Sequence, residues 1–75
     1  MIRAEIVIRA LDSKGEVFDF SHYVYNHVNE KYLTQEEFEK YLNEYSNKIA
    51  LFACSDTWEK CDFISVIGIR YENVE

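Results

Sequence analysis

The chain has 75 residues, two cysteines and no proline, with fourteen acids against eight bases and a formal net charge of −6. A length of this order makes one domain, residues 1–75, and the 48% hydrophobic content excludes a disordered chain. The charge argues against direct contact with nucleic acid, which needs a basic footprint, and favours basic partners.

Met1 to Leu11 alternates, with Ile2, Ala4, Ile6, Ile8 and Ala10 on one face and Arg3, Glu5, Val7 and Arg9 on the other, the period of a strand packed on one side. Asp12-Ser13-Lys14-Gly15 joins a turn-opening aspartate to a glycine able to take positive φ, so a tight hairpin returning through Glu16 to Phe20 is expected. From Ser21 to Leu33 the pattern reads two ways. A helix puts Val24, Tyr25, Val28 and Tyr32 on one stripe, and a strand alternates Phe18, Phe20, His22 and Val24 with Val17, Asp19, Ser21 and Tyr23. The polar run Asn26 to Lys31 favours a strand to about Phe20 followed by a helix, because asparagine is a poor strand former.

Thr34 to Ile49 is the clearest segment. At 100° per residue, Phe38, Tyr41, Leu42, Tyr45 and Ile49 fall on one stripe, while Glu36, Glu37, Glu39, Lys40, Asn43, Glu44 and Asn47 cover the rest. Thr34 and Glu37 form a T-x-x-E capping box, with Leu33 placed as a hydrophobic staple for Phe38. Asn47 is a candidate left-handed helix end. Ile49 to Cys54 is apolar at every position and suits either a buried strand or more helix.

Ser55 to Lys60 is a polar connection carrying Trp58, and Asp62 to Tyr71 is the strongest strand of the second half. Its alternating faces hold Phe63, Ser65, Ile67, Ile69 and Tyr71 against Asp62, Ile64, Val66, Gly68 and Arg70. Gly68 is expected to mark a bulge or the close approach of another backbone. The predicted architecture is α+β: a small antiparallel sheet of three or four strands packed on one or two helices, in the chain order β-β-α-(α)-(β)-β.

No catalytic, cofactor-binding or metal-ligating residue is assigned. Gly15 and Gly68 stand alone, no serine has a G-x-S-x-G setting, and there is no CxxC. His22 and His27 are five apart, which separates them on a helix and puts them on opposite faces of a strand. Cys54 and Cys61 are expected as reduced thiols, although a hairpin between them would bring the sulfurs together. Asp56, Glu59 and Asp62 share a spacing of three, read as a cap and box at Asp56 and Glu59 ahead of any cation site. An enzyme would need an apolar pocket lined by Asp, Glu or His with shifted pKa values.

The charge is uneven: residues 35–75 hold nine acids and four bases. Together with the aromatic set of Tyr23, Tyr25, Tyr32, Tyr41, Tyr45, Tyr71 and Trp58, residue types enriched at interfaces, this suggests a non-enzymatic binding module. Glu36, Glu37, Glu39 and Glu44 on the helix, with Asp56, Trp58 and Glu59 in the connection, would dock on a basic protein surface such as that of a nucleic-acid-binding protein or nuclease. In length, charge and lack of catalytic motifs the chain resembles the small acidic inhibitors of phages and mobile elements, including anti-CRISPR and anti-restriction proteins. The resemblance implies carboxylates mimicking phosphates and action in the host cytoplasm. The alternative is a homo-oligomeric accessory domain, a dimer for instance, that associates through an outer sheet face of Val7, Ile64 and Val66. No basic segment leads into an apolar one after Met1, and no apolar run nears the ~20 residues of a membrane span. A cytoplasmic location is therefore expected.

Overall fold

In the computed structural model, which describes residues 1–57 and 59–74, the elements run β1 (Ile2–Leu11), β2 (Val17–Tyr25), β3 (His27–Val28), β4 (Lys31–Tyr32), α1 (Gln35–Asp56) and β5 (Asp62–Asn73). The fold is α+β, as expected. A three-stranded antiparallel sheet has the order β2-β1-β5, and β3 and β4 make a separate two-stranded hairpin. The helix rests on one face of the larger sheet, over β5 and β1. No helix among the described residues is long and apolar enough to cross a membrane.

The alternation of β1 decides the layering. Ala4, Ile6, Ile8 and Ala10 are fully buried under the helix, so Arg3, Glu5, Val7 and Arg9 line the outer face. The Asp12–Gly15 turn forms as expected: the Asp12 carboxylate accepts the N–H groups of Lys14 and Glu16 at 2.8 and 2.9 Å, and Gly15 takes φ +79°.

Beyond Phe20 the chain departs from the expected helix. β2 continues to Tyr25 because β1 offers a partner at every position, from Leu11 opposite Val17 to Arg3 opposite Tyr25. The polar run then folds as a hairpin in which Asn29 and Glu30 both have positive φ (52° and 64°), the signature of a type I′ turn. Asn26 joins this hairpin to the sheet. It is 5% exposed, its Oδ1 accepts the Ile2 N–H, and its Nδ2 donates to the Leu33 carbonyl.

The capping box is present. Thr34 Oγ1 accepts the Glu37 N–H at 3.2 Å, and the Glu37 carboxylate accepts the Thr34 N–H at 3.0 Å. Asn47 does not end the helix, which runs 22 residues and takes in Ile49 to Cys54. Phe38, Leu42, Ala50, Ala53 and Cys54 are its buried residues. On an ideal helix these five do not share one narrow stripe, so the contact face rotates as α1 crosses the twisted sheet. Tyr41, Tyr45 and Ile49 are left half-buried on the flank that faces β2, and Phe52 is exposed.

β5 carries two register shifts against β1, between Val7 and Ile8 and between Arg9 and Ala10. Val66 pairs with Ile8 and Phe63 with Ala10, which leaves Ile67 and Ile64 as the extra, bulged residues. The irregularity expected at Gly68 therefore falls on its neighbour, and among the described residues no other backbone comes within 4 Å of where a Cβ on the glycine would sit.

Candidate protein-binding surfaces

Three surfaces compete for a role: the exposed side of α1, the outer face of the sheet, and a groove between α1 and β2.

The exposed side of α1 carries Glu36, Glu37, Glu39 and Glu44, all solvent-exposed. Its geometry follows from the capping box and from the apolar edge that Phe38 and Leu42 bury. Glu37 belongs to the cap, and the Thr34 backbone N–H holds its carboxyl below the usual range, with Lys31 assisting at 4.0 Å. Glu39 accepts from the Gln35 amide at 3.2 Å. Among the described residues no lysine or arginine lies within ion-pair distance of Glu36, Glu39 or Glu44. Lys40, also exposed, lowers the net charge of this side and forms no ion pair among the described residues.

The outer sheet face is charged but internally neutralised. All three arginines of the chain lie there and are paired: Arg3 with Glu72, Arg9 with Asp19 at 2.9 Å, and Arg70 with Glu5 at 2.8 Å. The Ser21 hydroxyl donates to Glu5 at 2.8 Å and, ahead of Arg70, holds its carboxyl below the usual range. Arg9 does the same to Asp19. The Arg3 guanidinium also lies 4.7 Å from the Tyr23 ring centre. Of the three residues expected to form an oligomer patch here, Val7 is half-buried and Ile64 is 43% exposed, but Val66 packs against the core. The bulge at Ile67 turns Val66 inward and puts Ile67 outside in its place.

The groove was not foreseen. The helix covers β5 and β1 and leaves the inner side of β2 only partly covered, creating a cleft of about 410 Å³ lined by His22, Val24, Tyr41, Tyr45, Ile49 and Phe52, among others. Tyr41 and Tyr45 meet with ring centres 4.9 Å apart and planes tilted by 45°, and Phe18 stacks on Phe20 farther along the same side of β2. A signal was present in the sequence: once Ile49 to Cys54 is helical, its unbroken apolar run cannot all point at one sheet, and Leu51 and Phe52 emerge 54% and 63% exposed. The lining contains no carboxylate.

The remaining candidates separate. Asp56 is the last residue of α1, not the cap of a following turn, and both it and Glu59 are exposed. Trp58 lies outside the described residues. His22 is half-buried in the groove, while His27 is exposed and stacked on Tyr32 at 4.5 Å. No group of three or more potential metal ligands occurs among the described residues. Cys54 and Cys61 are free thiols, with Cys61 Sγ 3.7 Å from the Cys54 carbonyl oxygen. Burial, with Cys61 beside it, pushes the Cys54 thiol up to about 11, which keeps it protonated near neutral pH and disfavours a nucleophilic role.

Compared with protein-family models, curated proteins and solved structures, the chain matches none.

Proposed function

We propose that this chain is a non-enzymatic binding module that presents the acidic side of α1 to a basic surface of another protein, where its carboxylates take the places of nucleic-acid phosphates. The partner class is a nucleic-acid-binding protein or nuclease, and the mode is that of the small acidic phage and mobile-element inhibitors that the chain resembles in size and charge. The site of action is then the cytoplasm of the host cell. One observation carries the reading: every arginine pairs with a carboxylate of the sheet, while Glu36, Glu39 and Glu44 have no ion-pair partner among the described residues. The negative field is concentrated on one rigid element, where it steers association and selects a positive partner.

The test is affinity capture from a lysate of the source cell at low and high salt, using wild type and a Glu36→Lys/Glu39→Lys/Glu44→Lys variant. Glu37 is spared because it caps the helix. The expected result is a basic protein held by wild type at low salt, released at high salt or by added duplex DNA, and missed by the variant. Equal recovery of the same proteins by both baits at both salts refutes the proposal.

A further inference from the structure

The two edges of the sheet are built differently. β5 is broken by two register shifts and carries Asp62, Arg70 and Glu72, devices that discourage a further strand from pairing. β2 pairs with β1 through nine consecutive positions without a shift. It contains no proline, glycine or lysine, and its one carboxylate, Asp19, is held by Arg9.

The phase of its hydrogen bonds can be read from both ends of the ladder. Asp12 N–H donates to Glu16 O at one end, and Asn26 N–H donates to Ile2 O at the other. Because bonded and open residues alternate along an antiparallel strand, even-numbered positions of β2 face β1. The backbone groups of Val17, Asp19, Ser21, Tyr23 and Tyr25 therefore point away from the sheet. Alongside this open ladder lies the partly covered inner side of β2, where half-buried His22 and Val24 share the groove with Tyr41, Tyr45 and Phe52 of the helix and Phe18 stacks on Phe20 farther along.

We infer that β2 is the self-association edge of this protein, and that a second copy pairs its own β2 antiparallel across a two-fold axis at Ser21 to give a continuous six-stranded sheet. The strand is complementary to itself in this register. Phe18 meets Val24 and Phe20 meets His22 on the inner side, Asp19 meets Tyr23 on the outer side, and no like charges oppose each other. With strands ~4.8 Å apart and each helix over β1 and β5, the two helix axes stand about 19 Å apart. Helices ~10–12 Å wide then leave a trough about as wide as an aromatic side chain, which the flanking Tyr41, Tyr45 and Phe52 of both copies fill.

The surface area agrees. A 9.0 kDa chain exposes 5479 Å², whereas a folded monomer of that mass is expected to expose about 4,850 Å². The excess of roughly 600 Å² is surface that the single copy's own packing leaves uncovered. Glu37 and Glu44 border Tyr41 and Tyr45, so the seam runs beside one flank of the acidic helix, and self-association is measured separately from the proposed docking.

The experiment combines light scattering over a concentration series with amide exchange read residue by residue. The expected result is a mass of about 18 kDa, twice the 9.0 kDa of one chain, with Asp19, Ser21 and Tyr23 amides as protected as their even-numbered neighbours. Ser21→Pro, which removes an outward N–H, should return the protein to a monomer. A monomer at every concentration, or a dimer whose Asp19, Ser21 and Tyr23 amides exchange fast, overturns the inference. The wild-type exchange pattern decides even if the proline variant does not fold.

Discussion

Asn26 Oδ1 accepts the backbone N–H of Ile2 at 3.0 Å while the Nδ2 of the same amide donates to the Leu33 carbonyl at 2.7 Å. One buried side chain thus ties the start of β1 to the segment that leads into α1. Asn26→Ala leaves a donor and an acceptor without partners and is expected to destabilise the fold by about 2 kcal/mol in a urea melt. Asn26→Asp keeps the acceptor but loses the donor and buries a charge, so its loss should be larger at neutral pH than in mild acid. An alanine variant as stable as wild type would show that the tie is dispensable.

Thr34→Ala removes the acceptor for the Glu37 N–H at the helix start. A loss of about 1 kcal/mol is expected from the thermal midpoint, with a similar loss for Glu37→Ala. The double variant should lose less than the sum, since the two groups serve one box.

Leu42 is fully buried between α1 and the sheet. Leu42→Ala should cost about 2–5 kcal/mol through lost burial and the cavity left behind. Chemical denaturation of the two proteins measures the difference, and a cost below about 1 kcal/mol would contradict the packing.

Acid should loosen the outer sheet face and the helix cap. The carboxyls of Glu5 (held by the Ser21 hydroxyl, then Arg70), Asp19 (by Arg9) and Glu37 (by the Thr34 N–H) all sit below their ordinary values of 4.5, 3.8 and 4.5. A carboxyl depressed in the folded state stabilises it above the ordinary value and loses that contribution as the pH falls through the folded one. The melting temperature should therefore hold down to about pH 5 and fall below it. Glu5→Gln should flatten part of the slope. A melting temperature that rises on acidification would contradict the assignment.

Local chemistry made the helix start legible in the sequence: Thr34 and Glu37 are adjacent partners, and Phe38 and Leu42 follow at helical spacing. The helix end was not, because Asn47 looks like a stop and Ile49 to Cys54 suits two structures. Only the presence of the sheet, on which Ala50, Ala53 and Cys54 pack, decides between them. The extent of β2 was hidden for a similar reason. The polar Asn26–Lys31 run argues against a long strand until Asn26 is seen to bond Ile2 and Leu33. At Val66 a one-residue bulge reversed the face that alternation assigns, which no reading of β5 by itself could detect. The groove depends on where the helix lies over the sheet, a relationship between elements distant in sequence. The acidic side of α1 was legible because it requires only helical spacing.

The most direct test of the account is the association rate between this protein and its captured basic partner, followed as ionic strength is raised. With the helix carboxylates steering the encounter, the wild-type rate should fall at least tenfold between about 20 mM and about 200 mM salt. The Glu36→Lys/Glu39→Lys/Glu44→Lys variant should bind slowly at both. A rate that is independent of salt and the same for both proteins would contradict a docking role for that side of the helix.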